Sequence, residues 1–482
     1  MRDDPTEPDP PPPSATARFH ETLRGSVRVF AAEALAVPTG MAVVAFLARR
    51  LGADGYGEFT VAAAFVAWVE WSLASALSRA AVTFVAQAPD RRAAGAAVVR
   101  TYLVASLGAA VLVWVAAPRV ALALRQPALV ADLRLFVLDL PLFALAQAHR
   151  AILIGIGAFG ARAVLAAGRW VARMAGVLVL VGLGFGIPGA IVGTLAASVV
   201  ELAIARRYVR PPLVGRPLAP AGMLLRTGLP LALFDLGMRA FDKVDLFCLM
   251  ALTGSSALAG FYGAAQNLSL APGMFALSFS PLLLSTLTRT VRSDGEAVAR
   301  PVAVEALRVA VGLVPFAAMA AGASGEITVL LLGESFLPAA PLFAVLVFGA
   351  LGLVWLSVGA AVLTAAGKPW WTVAIAGPLV ALALAGHLVL IPRYGALGAA
   401  AVSTGLALLG GMAAFGAVHR VWSIVPPRAA VLRAAALAGG AWVLASLWST
   451  SGGLLAVKLA TISVAIAALS PQYGGAFRPR RP

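Results

Sequence analysis

Long apolar segments alternate with short polar linkers through most of the sequence, from residue 27 to residue 469. Each segment is about 20 residues long, the length that an α-helix needs to cross the hydrocarbon core of a bilayer. The pattern predicts about 14 membrane-spanning helices, here named spans 1 to 14 in chain order. The predicted spans are 27–48, 59–80, 99–117, 133–155, 163–185, 187–205, 227–252, 257–287, 303–322, 336–365, 370–391, 395–418, 429–448 and 451–469. The stretch 118–132 is a candidate for a helix at the membrane interface.

Composition agrees with this pattern. Of the 482 residues, 61% are hydrophobic and 12% are charged, and the mean hydropathy is +0.91. Soluble domains contain about 45–50% apolar and about 25% charged residues. A water-soluble enzyme of this length is therefore excluded, and we predict an all-α integral membrane protein.

Basic residues indicate the orientation in the membrane. The net charge of +16 comes from arginines scattered between the spans, with most of them in alternate linkers. An excess of Lys and Arg marks cytoplasmic linkers, so we predict an even number of spans with both termini in the cytoplasm. The predicted location is the inner (cytoplasmic) membrane. The basic residues left in the predicted external loops are Arg49, Arg50, Arg119, Arg125, Arg134 and Arg393. A scattered distribution argues against nucleic acid as a partner.

Two motifs recur in order. The segment LARRLGADGYGEF (47–59) resembles LMALTGSSALAGFYGAA (249–265), and GIPGAIVGTLAASVV (186–200) resembles GALGAAAVSTGLALL (395–409), at nearly equal offsets. Both pairs lie in the same orientation, which predicts parallel repeats related by an axis along the membrane normal. We predict two pseudo-symmetric six-helix lobes plus two C-terminal helices.

The predicted domain organisation follows from the repeat and from linker composition. It comprises a disordered cytoplasmic Pro-rich tail at 1–24, an N-terminal lobe at 25–206, a basic cytoplasmic linker at 207–226, a C-terminal lobe at 227–420, and helices 13–14 with a short basic tail at 421–482. An acidic, Pro-rich segment such as the first 17 residues cannot bury a core.

The sequence resembles a known family at LARRLGADGYGEFTVA after span 1, at DKVDLFCLMALTGSSALAGFYGAAQNL across spans 7 and 8, and at VLLLGESFLPAAPLFAVL, LTAAGKPW and IPRYGALGAAAVSTG further on. These segments are similar to the polysaccharide (O-antigen-type) lipid-linked oligosaccharide flippases of the MOP exporter superfamily. The resemblance implies 12–14 helices in two lobes around a central cavity. It also implies a substrate such as an undecaprenyl-pyrophosphate-linked oligosaccharide, with membrane lipids and other polysaccharide biosynthesis proteins as partners.

Span 7 has the densest charge within any predicted span. Asp235, Arg239, Asp242, Lys243 and Asp245 occupy one broad face of it at helical spacing. Each charge at membrane depth costs about 2.5–3.5 kcal/mol, so the face either lines a wet cavity or forms a ladder of ion pairs. An arginine in a cavity would suit a pyrophosphate, because its fork matches phosphate oxygens.

Further cavity candidates are the polar residues within spans: Glu33, Glu70, Arg79, Arg173, Gln266 and Asn267, with Arg28 and Lys458. Glu33 and Glu70 have no cation at helical spacing, which favours a cavity or ion site. Arg28, Arg79 and Arg173 would equally suit interfacial positions, and Gln266 with Asn267 would suit helix–helix contacts. Pro38 and Pro272 each remove a backbone hydrogen bond and should kink spans 1 and 8.

These observations predict a flippase that works by alternating access, with no catalytic residues, metal or cofactor, although a coupling cation (Na+ or H+) would be compatible. Neither a nucleotide-binding loop nor an enzyme motif is present, and Cys248 is the only cysteine. The alternatives are a cation-coupled drug exporter of the same superfamily and a membrane glycan polymerase or ligase, which should have a larger charged external loop.

Overall fold

The structure is a computed structural model that describes residues 32–212 and 243–470, without side-chain detail at 76, 79, 271–278 and 281. Most of these residues are helical, and none of them lies in a strand. The helices are α1 (Ala36–Gln87), α2 (Arg91–Ala123), α3 (Leu129–Phe136), α4 (Asp139–Gly155), α5 (Phe159–Gly182), α6 (Gly186–Tyr208), α7 (described over 243–253), α8 (Ser256–Leu268), α9 (Leu270–Ser293), α10 (Glu296–Gly312), α11 (Val314–Gly322), α12 (Ser324–Leu332), a 3-10 helix (Glu334–Ala339), α13 (Ala340–Ala365), α14 (Pro369–Trp422), α15 (Arg428–Leu447) and α16 (Leu454–Leu469).

The prediction of an all-α membrane protein is confirmed. Among the described residues, 8 helices are long and apolar enough to cross a membrane. Two of them, α1 with 52 residues and α14 with 54, are each long enough for two spans, and each is broken by a non-helical glycine, Gly52 or Gly395. Large apolar side chains on the outer surface are exposed, such as Leu112 and Leu183 at 70% each, as expected of helices that face lipid.

The helix ends refine the sequence prediction. The helix α2 continues to Ala123 and so includes the first part of the stretch 118–132 that was predicted to be interfacial. The last part of that stretch belongs to the short helix α3. A break at Ser269, three residues before Pro272, separates α8 from α9 within span 8. A similar interruption at Leu35 precedes Pro38. Both prolines therefore lie just after an irregular turn, as their missing N–H groups require.

Glycines with positive φ occur at matching places in the two repeated motifs. Gly52 and Gly254 have φ of 67° and 66°, and each ends the helix before the motif's Tyr-Gly pair. Gly186 and Gly395 both have φ of 56° and begin the second motif. Only glycine adopts such angles without strain, which explains why glycine is present at these turns in both halves.

In the described part of the chain, the two lobes share one apolar core at one end of the bundle and have separate cores at the other. The shared core includes Leu47, Tyr56 and Val177 from the N-terminal half, with Leu249, Tyr262 and Phe343 from the C-terminal half. Toward the other end, Leu77, Val98 and Ile152 form a core within the first lobe, whereas Leu287, Leu307, Val358 and Trp422 form one within the second. We call the first end, around Gly57 and Gly260, the closed end and the other, around Gln87 and Ser293, the separated end.

The last two helices pack on the C-terminal half. Met319 and Ala323, at the junction of α11 and α12, form a small core with Ala441, Ala445 and Ile462 of α15 and α16. The Lys458 side chain on α16 is fully buried and pairs with Glu326 of α12 at 2.5 Å. Because a buried charge requires a partner, this ion pair fixes α16 to the second lobe.

Candidate transport pathway

At the closed end, α1 and α8 meet at their backbones. A Cβ atom added at Gly57 would lie 1.8 Å from the carbonyl oxygen of Ser256, and one added at Gly260 would lie 2.1 Å from that of Ala53. Real Cβ atoms do not approach oxygen so closely, so only glycine permits this crossing. The two lobes are therefore in direct backbone contact, and nothing the size of a side chain fits between them here.

Polar side chains join the lobes around this crossing. The Arg49 guanidinium donates to the carbonyl oxygens of Leu330 at 2.5 Å and Leu331 at 3.1 Å. The Gln126 side-chain amide donates to the Ser256 hydroxyl at 2.9 Å. A hydrogen bond between neutral groups contributes about 1 kcal/mol and one that involves a charged group about 1.5–3 kcal/mol, so the closure has several modest contributions rather than one dominant one.

Asn267 belongs to the same closure. Its side-chain amide donates to the Tyr56 hydroxyl at 3.1 Å and to the Gly263 carbonyl oxygen at 2.9 Å. Tyr56 in turn packs edge-on against Phe336 with ring centroids 5.8 Å apart. Asn267, a sequence-predicted candidate, therefore joins the two lobes, which matches the helix–helix alternative for this residue.

Asp245 is the centre of a buried polar cluster within the second lobe. Its Oδ2 atom accepts hydrogen bonds from the Tyr262 hydroxyl at 2.6 Å, the Gln266 amide at 2.9 Å and the Ser403 hydroxyl at 2.9 Å. The carboxyl group is only 4% exposed. The structure thus brings the predicted residues Asp245 and Gln266 together, and it adds Tyr262 and Ser403, which the sequence pattern had not identified.

A second buried cluster lies within the first lobe. Glu201 on α6, 1% exposed, pairs through Oε1 with Arg150 of α4 and through Oε2 with Arg169 of α5 at 2.9 Å. Arg169 also lies over the Phe143 ring at 4.9 Å. Sequence analysis missed this cluster; the available signal was a pair of arginines within predicted spans 4 and 5 and an acid within span 6.

Two predicted acids adjoin this cluster. Glu33 lies 3.9 Å from Arg162 and accepts a hydrogen bond from the Trp170 indole at 3.4 Å, both on α5. Glu70 is buried beside Asp139, with Arg169 and Arg173 of α5 as the neighbouring cations. The sequence around Glu33 and Glu70 has no cation at helical spacing, and the cations beside these two acids lie on α5 instead.

At the separated end, an open cavity of about 700 Å³ runs along α9. The described residues that line it are Leu284, Ser285, Thr288, Arg289, Arg292 and Ser293. The two arginines and the hydroxyl groups recur at helical spacing on one face of α9. This face offers charge and hydrogen-bond donors that suit an anionic or hydroxylated group.

The remaining candidates are scattered or fall outside the description. Asp235, Arg239 and Asp242 lie outside the described residues. Arg28 and most of the basic linker also lie outside them, and the side chain of Arg79 is not described. Lys243 is the first described residue of α7. Lys458 pairs with Glu326 in the packing of α16. Within the described ranges, no group of His, Cys, Asp and Glu side chains has the arrangement of a metal site.

The sequence matches a known protein family over more than half of its length. The model of the family described as "Polysaccharide biosynthesis protein" matches residues 23–283. This region covers the first lobe and extends through the closed end into α9. No curated protein matches significantly.

Solved structures with a similar fold are transporters. The structure described as "Lipid II flippase MurJ, inward closed conformation" has a TM-score of 0.74 at 14% identity and covers 95% of this chain and 100% of that one. An inward-facing multidrug resistance MATE family transporter of the MOP superfamily has a TM-score of 0.64 at 15% identity, with 84% and 95% covered. An outward-facing structure of that description has a TM-score of 0.56 at 14% identity, with the same coverage.

Proposed function

We propose that this chain, which belongs to the polysaccharide biosynthesis protein family and has the fold of MOP-superfamily transporters, is a flippase. It would move a lipid-linked oligosaccharide across the cytoplasmic membrane. The substrate would have an undecaprenyl-pyrophosphate-type carrier and would pass from the inner to the outer leaflet. The mechanism would be alternating access between the two lobes.

One observation supports this mechanism most directly: the lobes share a core at one end and have separate cores at the other. A polar head group cannot cross about 30 Å of hydrocarbon unaided, because an unpaired charge there is very costly. A protein that opens a polar cavity to one side while its other end is closed removes that cost. A rocking movement of the lobes that opens the closed end and closes the separated end would then expose the cavity to the opposite face.

The chemistry of the cavity agrees with an anionic, sugar-bearing substrate. Arg289 and Arg292 could bind phosphate oxygens through their planar guanidinium groups, and Ser285 and Thr288 could hydrogen-bond to sugar hydroxyls. An exporter of apolar cations would favour an apolar cavity with few arginines. The lining of α9 therefore favours the flippase over a drug exporter of the same superfamily.

We propose further that the closed end faces outside and that both termini lie in the cytoplasm. The measurement is single-cysteine labelling in a Cys248→Ser chain, with Asp54→Cys near the closed end and Ser293→Cys at the separated end, both at exposed positions. An impermeant thiol reagent applied to intact cells should label Asp54→Cys and leave Ser293→Cys unlabelled until the membrane is permeabilised. The reverse pattern would refute the orientation.

Deletion of the gene followed by lipid analysis tests the function itself. Loss of a flippase should leave complete lipid-linked glycan in the inner leaflet and remove the surface glycan. If single repeat units instead accumulate on the outer leaflet, the protein is a polymerase. If glycan is unchanged and the cells become sensitive to cationic drugs, it is a drug exporter.

A further inference from the structure

Two acids in the first lobe are buried beside each other, with the Ser198 hydroxyl next to Asp139. Glu70 of α1 is 6% exposed and Asp139 of α4 is 1% exposed. The Glu70 Oε1 atom and both carboxyl oxygens of Asp139 are shielded from solvent, and in the described part of the chain they accept no hydrogen bond. Their carboxyl groups are direct neighbours.

The surrounding cations do not neutralise this pair directly. Arg169 donates to Glu201 at 2.9 Å and to the Ser198 hydroxyl at 3.2 Å. The guanidinium of Arg173 lies close enough to act electrostatically on both acids, but its Nε atom is buried with no acceptor among the described residues. Two negative carboxylates in apolar surroundings repel each other strongly, and two carboxyl groups can hydrogen-bond only when one of them holds a proton.

The site is also too small for a hydrated ion. The space beside Glu70, lined by Leu73, Tyr102, Leu140 and Phe143, has no room for a water molecule. The hydroxyl of Tyr102 is buried there without a partner among the described side chains. Among the residues whose side chains the structure describes, the titratable and charged groups that face the pair are Tyr102 on α2, Arg169 and Arg173 on α5, and Glu201 on α6 through Arg169.

From this geometry we propose that Glu70 and Asp139 bind one exchangeable proton between them and form the coupling site of the first lobe. Asp139 is the first residue of α4, and a helix N-terminus favours a negative charge. The proton therefore resides on Glu70 and is donated to Asp139, while Arg173 compensates the remaining charge. Uptake and release exchange this proton with water, and no other bond changes.

The position of Glu70 connects the proton to the movement of the lobes. The helix α1 contains both Glu70 and Gly57, 13 residues or about 20 Å apart along the helix, and Gly57 contacts the second lobe. A change of the crossing at Gly57 would shift α1 against α4 and alter the contact of Glu70 with Asp139. This coupling rests on the proposed function, whereas the bound proton does not.

Infrared spectroscopy of the purified full-length protein in liposomes tests the proton site. Asp132, outside the spans, has a pKa raised to about 7 by burial and by Glu58, so every sample carries Asp132→Asn. We expect a protonated-carboxyl band that shifts in D2O, disappears in Glu70→Gln, changes frequency in Asp139→Asn, and persists unchanged in the control Glu305→Gln, which alters an exposed acid. A band that survives Glu70→Gln, or that Asp139→Asn leaves at the same frequency, would refute the shared proton. Loss of the band when choline is replaced by Na+ would show that the site takes a metal ion instead.

Surface glycan measured in a deletion strain then tests the coupling. The Glu70→Gln/Asp139→Asn double variant should reach normal membrane abundance and export several-fold less glycan than the surface control Glu305→Gln. Normal export by an abundant double variant would reject the coupling and leave the proton site in place. Normal glycan after deletion of the whole gene would instead reject the proposed function, and the infrared result would be unaffected.

Discussion

The ion pairs in this protein differ in how deeply they are buried. Glu201 pairs with two arginines and is 1% exposed, whereas Glu305 pairs with Arg308 at 2.9 Å but is 48% exposed. A buried charge that loses its partner is costly because no water replaces that partner, while a surface pair contributes little. The stability of the first lobe should therefore depend on Glu201 far more than on surface acids.

The substitution Glu201→Ala tests this dependence. It would leave Arg150 and Arg169 as uncompensated cations, and the free energy of unfolding should fall by about 3–5 kcal/mol. The matched control Glu305→Ala should change it by less than about 1 kcal/mol. Thermal unfolding in detergent and the abundance in membranes are the measurements. Equal losses in the two variants would contradict the importance of the buried cluster.

The same residues show what a sequence can and cannot reveal. Spacing along one helix indicates only which side chains share that helix, so Glu33 and Glu70 lacked a predicted cation. Their neighbouring cations lie on α5, and the contact depends on how the helices are rotated when packed. Arg150, Arg169 and Glu201 were missed for this reason. Apolar length, by contrast, is a property of the sequence itself, and the all-α membrane class followed from it.

Among the elements, the crossing of α1 and α8 determines whether the closed end can stay closed. Gly57→Ala would place a methyl group 1.8 Å from the Ser256 carbonyl oxygen, so the helices would have to move apart. In a Cys248→Ser chain with Ser256→Cys, labelling by an impermeant thiol reagent should become several-fold faster. Gly40→Ala, on the same helix as Gly57, is the control. A Cβ atom added at Gly40 would have no atom of a neighbouring segment within 4 Å. Unchanged labelling in Gly57→Ala would refute the backbone closure.

The attachment of α16 to α12 depends on one ion pair. Lys458→Ala would leave Glu326 without its cation, and we expect lower abundance and easier proteolysis of the C-terminal helices. Exchanging the charges, with Lys458→Glu and Glu326→Lys together, should restore part of the loss. Lys368→Ala, at an exposed position, is the control. If Lys458→Ala leaves abundance and proteolysis unchanged and the charge exchange restores nothing, apolar packing alone holds α16 in place.

At the scale of the whole molecule, alternating access requires that the two lobes separate at the closed end during each transport cycle. The shared core and the hydrogen bonds of Arg49 and Gln126 must then be broken and re-formed. These contacts are individually modest, which suits a closure that opens repeatedly. A covalent link across it should therefore stop transport without unfolding either lobe.

The most direct measurement cross-links Gln126→Cys to Ser256→Cys in a Cys248→Ser chain. The two native side chains lie 2.9 Å apart and belong to different lobes. A short bifunctional thiol reagent that forms reducible bonds should abolish export of surface glycan in the double-cysteine chain. Export should be unaffected in either single-cysteine chain, and a reductant should restore export in the double-cysteine chain. Normal export with the lobes fully cross-linked would contradict alternating access in this protein.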